Sequence, residues 1–257
     1  MKAPREVSSL HNPLLQRVRR LAGEPLAYRK AGQVWVEGEH LCSALLARGR
    51  KPAVALVSQQ AWSQPRLQAL AQQASEVVCV PDAVFAALGT LPSPAGLGML
   101  VDWQPPAVPL QALPTLVLDR LQDAGNVGGV LRTASALGFG QVVALKGTAG
   151  LWSPKVLRAG MGAQFGLILH EGLEAQALEA LPVPLVSTSP HARQRLDAAQ
   201  LPWPCAWVLG HEGQGVCASV RRLCAHEVRI AQPGGEESLN VAAAAAICLY
   251  ESVRGRQ

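Results

Sequence analysis

The chain has 257 residues, of which 49% are hydrophobic and 16% are charged, and 23 lysines and arginines against 18 acidic residues give a net charge of +5. This composition is typical of a folded globular chain and excludes disorder over most of its length. Since a domain usually has about 100–200 residues, one large or two modest domains fit, and either folds without disulfides or metal.

Sequence signals for membranes and metals are missing. No uninterrupted apolar run approaches the roughly 18 residues that a membrane span requires, and residues 1–10 lack the apolar core of a signal peptide. We therefore expect a cytoplasmic protein with no membrane association. The six cysteines never form a CxxC pair, so neither a zinc ribbon nor a thioredoxin-type motif is supported. We expect no metal site and reduced, mostly buried thiols.

Positive charge is concentrated at the start of the chain. Residues 1–51 carry ten lysines and arginines against four acidic residues, an excess larger than the net charge of the whole chain. Such a segment attracts polyanions, so nucleic acid is the natural partner, with a solvated helix face as the alternative. The candidate nucleic-acid contacts are Arg17, Arg19, Arg20, Arg29 and Lys30.

The first hundred residues alternate between strand-like and helix-like stretches. The predicted strands are VWVEGE, AVALVS and EVVCV, and the predicted helices are LCSALLARG and QPRLQALAQQA. This alternation predicts a small α/β domain.

A stretch rich in proline and glycine then separates two domains. Residues 91–114 lack helical periodicity, and Pro105-Pro106 disfavours regular structure on both sides. We predict a first domain over residues 1–103, a linker over 104–113 and a second domain over 114–257.

The second domain alternates more clearly between strands and helices. Its predicted strands are TLVLDRL, QVVALKG, PLVSTS, CAWVLG and HEVRIA, and helix-like stretches lie between several of them. Apolar strands with little alternation indicate burial on both faces, so we predict a mostly parallel sheet covered by helices. Ligands of such sheets bind beyond the carboxyl ends of the strands, which makes the loops after these strands the candidate site.

The first candidate loop covers residues 122–129 and follows a strand predicted over Leu116–Leu121. Its glycines allow close approach to the backbone, but the sequence is not GxGxxG, so a dinucleotide site is poorly supported. Asn126 in the loop and Arg132 within two turns of the following helix can both face a ligand. Alternatively, Asn126 caps the helix and Arg132 lies on the surface.

The second candidate loop, Gly210–Gly215, follows a strand that ends at Leu209. Three glycines in six residues leave backbone amides open to a bound cofactor. Glu212 accepts hydrogen bonds from a ligand or orders the loop, with an exposed acid in a plain β-turn as the alternative. His211 is expected to make a local polar contact, because no second histidine or cysteine stands at metal-ligand spacing.

The third candidate loop joins a strand predicted over Glu227–Ala231, through Pro233-Gly234-Gly235, to a helix that begins near Ser238. Ser238, the candidate N-cap, and Asn240 lie where helix N-terminal amides attract an anionic group of a substrate or cofactor. The alanines at 242–246 have almost no side-chain bulk, which allows close packing against another segment or subunit. Simple capping of a buried alanine-rich helix is the alternative.

Taken in order, GNVGGVLRTASALG, SPKVLRAGMGAQF, VLGHEGQG and RIAQPGGEESLNVAAAAAICLYE resemble the signature motifs of the TrmH/SpoU branch of the SPOUT superfamily. Members of that family are RNA 2′-O-ribose methyltransferases. The resemblance covers roughly residues 114–256, and the order and spacing of the motifs make it specific. Residues 5–100 also resemble the L7Ae-like, substrate-binding N-terminal domain that is often attached in this family.

The resemblance implies an α/β fold in which a mostly parallel sheet is followed by a C-terminal segment tied into a deep trefoil knot, an exception to the rule against knotted chains. It also implies a homodimer whose active site is built from both subunits, and S-adenosylmethionine as the cofactor. The implied cofactor contacts are principally Gly210, Ile230 and Leu239, with Thr188, Leu209 and Ala231 nearby.

For catalysis, the resemblance assigns Arg132 to the family's catalytic arginine and gives supporting roles to Asn126, Glu212, Ser238 and Asn240. Methyl transfer requires a ribose 2′-oxygen aligned with the sulfonium methyl, so orientation and alkoxide stabilisation should dominate. Because a guanidinium group is a very weak acid, an arginine such as Arg132 is a poor general base. We expect it to stabilise the developing alkoxide and an adjacent phosphate.

Three positions depart from the family pattern. His211 stands where a small or amide residue is common, and Gly160 and Ala242 stand where serine is frequent. None of the three removes an assigned catalytic residue, so the departures bear on substrate contacts and rate more than on the reaction.

The sequence thus predicts an S-adenosylmethionine-dependent RNA 2′-O-methyltransferase, with ribosomal RNA favoured over transfer RNA because of the appended N-terminal domain. The alternatives are a transfer RNA 2′-O-methyltransferase and a non-catalytic SPOUT-like RNA-binding protein. A nicotinamide-dependent oxidoreductase on a Rossmann sheet is disfavoured, because its fingerprint is missing.

Overall fold

The computed structural model describes residues 3–89, 96–107, 109–234, 238–254 and 256. The strands are β1 Arg5–Glu6, β2 Gln33–Glu37, β3 Val54–Ser58, β4 Glu76–Val80, β5 Leu97–Asp102, β6 Thr115–Leu118, β7 Gln141–Leu145, β8 Ile168–Leu173, β9 Leu185–Thr188, β10 Gln194–Arg195, β11 Ala206–Leu209 and β12 Cys224–Arg229. The α-helices are α1 Pro13–Gly23, α2 Ala27–Ala31, α3 Glu39–Ala47, α4 Gln59–Trp62, α5 Pro65–Ala71, α6 Asp82–Ala86, α7 Ala124–Ala136, α8 Pro154–Gly160, α9 Ala218–Arg221 and α10 Val241–Val253. Lys2 of the basic segment and Gly235 of the third loop lie outside the described residues.

Internal contacts divide the chain into two compact units. The first unit contains Met1–Gln104 together with Trp152–Phe165, and the second contains Pro105–Leu151 and Gly166–Gln257. The segment that carries α8 therefore packs with the first unit, although it lies within the second half of the sequence. Among the described residues, no helix is both long enough and apolar enough to cross a membrane.

The first unit is built on a five-stranded mixed sheet in the order β1-β4-β3-β5-β2. β1, β4 and β3 run parallel, and β5 runs antiparallel to both β3 and β2. Helix α1 begins at Pro13 because the side chain of Asn12 accepts the Leu14 N–H at 2.9 Å. A proline fits there, since the first helical N–H has no partner in the helix.

The second unit is built on a seven-stranded sheet in the order β10-β12-β9-β11-β6-β7-β8. Every pair of neighbouring strands in this sheet is parallel. The central strands β6, β7 and β11 are buried along their whole lengths, which is why their sequences are continuous apolar runs. The carboxyl ends of β6, β11 and β12 therefore lie at one edge of the sheet, where the candidate loops begin.

Five predicted strands of the second domain correspond to β6, β7, β9, β11 and β12, but their ends differ. The strand predicted over Leu116–Leu121 ends at Leu118, because Arg120 adopts a left-handed conformation with φ of 61°. β12 ends at Arg229, so Ile230 and Ala231 follow the strand instead of ending it.

Four strands were not predicted, namely β1, β5, β8 and β10, of which β1 and β10 have only two residues each. β5 lies inside the proline- and glycine-rich residues 91–114, where no strand was predicted, and it ends before the predicted linker. β8 carries His170, Glu171 and Gly172, and these residues interrupt the apolar pattern by which the other strands of its sheet were recognised. All six cysteines are free thiols, and four of them are buried.

Candidate active site

A cleft of about 440 Å³ opens at the carboxyl edge of the seven-stranded sheet. It is lined by residues from all the loops that follow β9, β11 and β12 and from the first turn of α7. Eight of the predicted site residues line it, namely Asn126, Thr188, Gly210, Glu212, Ile230, Ser238, Leu239 and Asn240. The structure therefore brings residues of the three candidate loops together at one cleft.

The loop after β11 forms one wall of the cleft and folds back tightly on itself. His211 and Gly215 exchange both backbone hydrogen bonds, at 3.1 and 2.8 Å. Gly215 has a φ of 66°, a conformation that favours glycine. At Gly210, a Cβ atom would lie only 2.2 Å from the backbone of Gly215 and Val216, so this position has no room for a side chain.

Glu212 ties the loop after β11 to the start of α7. Its carboxylate accepts hydrogen bonds from the backbone N–H groups of Gln122 at 3.3 Å and Asp123 at 3.1 Å, and from Asn126 Nδ2 at 3.4 Å. Burial raises the pKa of the Glu212 carboxyl, but these hydrogen bonds and that of its own backbone N–H outweigh burial and hold the pKa below its ordinary value. Glu212 is therefore an ionised acceptor at neutral pH.

Asn126 and Asn240 extend this network to the third loop. Asn240 Nδ2 donates to Asn126 Oδ1 at 3.0 Å, and Asn240 Oδ1 accepts the backbone N–H groups of Ala242 and Ala243. Asn240 is thus the N-cap of α10, and the prediction that Ser238 caps this helix was wrong. The chain of side chains from Glu212 through Asn126 to Asn240 joins the three candidate loops.

Asn126 lies within α7, so its predicted place in a loop was wrong. Helix α7 begins at Ala124 because Asp123 Oδ1 accepts the N–H of Asn126 at 2.7 Å. The glycines that suggested a loop lie inside this helix, and Gly129 faces α10, where an added Cβ would lie 3.8 Å from the Ala242 Cβ, an ordinary contact distance. The two helices can approach closely because both contact surfaces are small.

The structure does not place Arg132 in the cleft. Arg132 is exposed and follows Asn126 by six residues, which puts it about 9 Å further along α7 and about 120° around the helix. Leu209 and Ala231 are also absent from the cleft lining. Leu209 is 2% exposed at the end of β11, and Ala231 is exposed after β12.

The three departures from the family pattern have local structural roles. His211 Nδ1 accepts the backbone N–H groups of Gly213 and Gln214 at 3.0 and 3.3 Å, which confirms the expected local polar contact. A Cβ on Gly160 would lie 2.8 Å from Gln164 Oε1, at the end of a side chain buried in the first unit. Ala242 lies in the first turn of α10, where it faces Gly129.

The predicted nucleic-acid contacts in the first unit are all exposed, and several make local contacts. Arg17 donates to Gln33 Oε1 at 3.1 Å, and Arg20 forms an ion pair with Glu24 at 3.1 Å. Arg29 lies 5.7 Å from the ring centre of the adjacent tyrosine. Arg19 and Lys30 also project from this surface, so every member of the set is accessible to a ligand.

Two residues that hold the cleft together were missed at the sequence level. Asp119 is 1% exposed and accepts the Cys217 N–H at 2.6 Å, and Arg120 donates to both Asp119 and Gln214. The signal in the sequence was Asp119-Arg120, two charged residues that interrupt a predicted apolar strand just before a candidate loop. A charged group that is buried at such a position requires a specific hydrogen-bond partner.

Comparisons with known proteins converge on one group of enzymes. Residues 114–250 match the SpoU rRNA Methylase family. The chain is 33% identical to an uncharacterised tRNA/rRNA methyltransferase of Synechocystis sp., over 96% of this chain and 93% of that one. It is 37% identical over 146 residues to the 23S rRNA (guanosine-2′-O-)-methyltransferase RlmB of Bordetella pertussis, covering 55% of this chain and 60% of RlmB. The structure of the SpoU methyltransferase AviRb from Streptomyces viridochromogenes, in complex with AdoMet, matches 96% of this chain and 98% of AviRb with a TM-score of 0.85 and 25% identity.

Proposed function

The chain belongs to the SpoU rRNA methylase family, and from this membership we propose that it transfers a methyl group from S-adenosylmethionine to a ribose 2′-hydroxyl of ribosomal RNA. The observation that carries this proposal is the meeting of the three family loops at one cleft, joined through Glu212, Asn126 and Asn240. The names of RlmB and AviRb, as a 23S rRNA 2′-O-methyltransferase and an AdoMet-binding SpoU methyltransferase, support the reaction and its cofactor. The relatives named above are bacterial, and because bacterial ribosomes are assembled in the cytoplasm, we propose that the protein acts there.

The cleft suits S-adenosylmethionine in size and chemistry. Its volume falls within the range of small-molecule sites, and Gly210 leaves its backbone without an obstructing side chain. The exposed side chain of Leu239 and the half-buried Ile230 provide apolar walls, and Thr188 adds a hydroxyl. We propose that these four residues hold the cofactor, with Leu209 and Ala231 supporting them from the adjacent backbone. When bound, S-adenosylmethionine supplies an electrophilic methyl group.

The protein's own residues would orient the ribose and stabilise negative charge on its 2′-oxygen. Asn126 and Asn240 are held by their mutual hydrogen bond, and Ser238 lines the same cleft, so these polar groups can contact the RNA backbone without reorganisation. Through its guanidinium group, Arg132 would stabilise the developing alkoxide and a neighbouring phosphate. Glu212 already accepts hydrogen bonds from Gln122, Asp123 and Asn126, so its role is to hold Asn126 and the start of α7.

We further propose that the protein acts as a homodimer with an active site built from both subunits. The position of Arg132 outside the cleft of its own chain supports this arrangement. Helix α10 presents Ile247 and Tyr250, 41% and 58% exposed and three residues apart on one face, next to its contact with α7. An apolar face beside the site is a natural contact for a second copy.

Mixing two variants that are each strongly impaired tests the composite site. One variant is Arg132→Ala, and the other is Gly210→Ala, assayed at a cofactor concentration near the wild-type Kd. In a mixed dimer, one site combines the intact cleft of one chain with the intact Arg132 of the other. Statistical mixing makes half of the dimers mixed, so we expect about a quarter of wild-type activity. No recovery would place both residues in a site formed by one chain.

We propose that the first unit binds the RNA substrate through Arg17, Arg19, Arg20, Arg29 and Lys30, and that residues 104–113 link it to the methyltransferase domain. The concentration of exposed positive charge on α1 and α2 supports this role. The relation of this unit to L7Ae-type domains, and the trefoil knot in the second, stay predictions.

The function is tested by transfer of labelled methyl groups to ribosomal RNA, followed by alkaline hydrolysis. A 2′-O-methyl group blocks cleavage of the adjacent phosphodiester, so we expect the label in alkali-resistant dinucleotides. Label in alkali-sensitive mononucleotides would indicate base methylation and would contradict the proposed reaction. Arg132→Ala should abolish this label. Arg222→Ala, which replaces another exposed arginine of the second unit, serves as its matched control.

A further inference from the structure

Asp119 fastens both ends of the loop that walls the cleft. Its backbone N–H donates to the carbonyl of Leu209, where the loop begins, at 2.8 Å. Its Oδ2 accepts the N–H of Cys217, where the loop ends, at 2.6 Å. Asp119 is 1% exposed, so both contacts are shielded from water.

Arg120 connects this anchor to the middle of the loop. Its Nε donates to Asp119 Oδ1 at 2.9 Å, and its terminal amino group donates to Gln214 Oε1 at 3.0 Å. Its backbone N–H donates to Thr148 Oγ1 at 3.1 Å, which ties the same residue to the turn that follows β7. The Arg120 side chain thus contacts both Asp119, which anchors the two ends of the loop, and Gln214 near its tip.

The backbone of Arg120 indicates that this arrangement is imposed by its surroundings. Its φ of 61° is rare for a residue with a side chain, and such conformations persist where neighbouring contacts fix them, often at functional sites. Gly147 makes room for the arginine stem, since a Cβ there would lie 3.1 Å from Arg120 Cγ.

We propose that Arg120 is a positioning residue that holds the loop from Gly210 to Val216 in the shape that accepts S-adenosylmethionine. The inference rests on the proposed function. It extends that function to a residue with no place in the family motifs, because Gly210, Glu212 and Val216 line the cleft only while the loop keeps this conformation. A guanidinium suits the task, since its planar fork reaches an acid and an amide at once, whereas a lysine ammonium is a single point charge.

The test measures the Kd of S-adenosylmethionine by isothermal titration calorimetry on the full chain. The variants are Arg120→Ala, Gln214→Ala, the double variant and Arg120→Asn, which tolerates the left-handed backbone but is too short to reach Gln214. Arg193→Ala, an exposed substitution elsewhere in the second unit, is the matched control. We expect about tenfold weaker binding for Arg120→Ala and Arg120→Asn, as for loss of a hydrogen bond from a charged group. Arg120→Ala and Gln214→Ala both remove the hydrogen bond between these two side chains. The double variant should therefore bind S-adenosylmethionine no more weakly than Arg120→Ala does.

Amide hydrogen exchange of residues 211–217 separates positioning from general stability. In Gln214→Ala, an exposed substitution that leaves Asp119 paired, we expect faster exchange in this loop and unchanged exchange in β6 and β7. Wild-type affinity in folded Arg120 variants, or additive losses in the double variant, would overturn the inference. Failure of the wild-type protein to bind S-adenosylmethionine would instead overturn the proposed function on which it rests.

Discussion

Replacing Gly210 with alanine adds one methyl group at the tightest point of the cleft wall. The new Cβ would lie 2.2 Å from the Gly215 carbonyl carbon and the Val216 nitrogen, whereas real Cβ atoms essentially never come within 3.0 Å of another heavy atom. The opposing backbone must therefore retreat by about 0.8 Å or more. This backbone is held in place by hydrogen bonds, because Gly215 is hydrogen-bonded to His211 and the Cys217 N–H donates to Asp119.

The free-energy cost of the substitution follows from overpacking the loop at this point, where its two ends lie close together. Such insertions typically cost about 1–3 kcal/mol, and a value near 2 kcal/mol corresponds to about 30-fold weaker cofactor binding if the loop must return to its native shape. Gly213→Ala is the matched control, because it lies in the same loop and its nearest neighbours are His211 ring atoms at 3.8 Å. We predict that Gly213→Ala binds S-adenosylmethionine within about twofold of wild type, as expected for a surface substitution.

The Kd of S-adenosylmethionine is measured for both variants by isothermal titration calorimetry. Their melting curves show whether each variant is folded. We expect a large loss of cofactor affinity for Gly210→Ala, a small loss for Gly213→Ala, and cooperative melting of both variants. Equal affinity of the two variants would refute the argument that the close backbone approach at Gly210 shapes the cofactor site.

Three further predictions concern catalysis, pH and RNA. Arg132→Lys should lower kcat by about 10²–10³-fold without changing cofactor affinity, as expected for a group that stabilises charge in the transition state, and full activity in a methyl-transfer assay would contradict that role. The lowered pKa of Glu212 stabilises the fold fully above its ordinary value of 4.5, and this stabilisation is lost as pH falls through the lowered pKa. The melting temperature of wild type should therefore exceed that of Glu212→Gln at neutral pH and converge with it in acid, whereas a constant difference would contradict the assignment. Replacing Arg17, Arg19 and Arg20 with alanine should weaken RNA binding and flatten its salt dependence, and an equal loss of cofactor affinity would refute the division of labour between the units.

The buried strands were predictable because burial on both faces leaves a direct mark on the sequence. The runs at β6, β7 and β11 are continuously apolar, and each is enclosed in the structure. β8 escaped recognition because His170 and Glu171 interrupt its pattern, and Glu171 accepts the Leu151 N–H at 2.7 Å. That contact links residues 20 positions apart, which local patterning does not reveal.

The candidate site was predictable in its membership but less so in its geometry. Order and spacing of the motifs indicated Gly210, Glu212 and Asn240, because the chemistry of a cofactor loop restricts the residue types. The glycines around Asn126 were misread as a loop, since glycine serves a close helix contact as readily as a turn. Helix packing of this kind depends on which partner helix lies opposite, and the partner is more than a hundred residues away in the sequence.

The most direct test of the central claim is identification of the methylated product. Purified protein is incubated with methyl-labelled S-adenosylmethionine and with unmodified ribosomal or transfer RNA in separate reactions, and each RNA is digested to nucleosides for mass spectrometry. The account predicts a single 2′-O-methylated nucleoside from ribosomal RNA, absent when Arg132→Ala replaces the wild-type protein. A labelled nucleoside from transfer RNA alone would contradict the proposed substrate, and labelling confined to a base would contradict the proposed reaction.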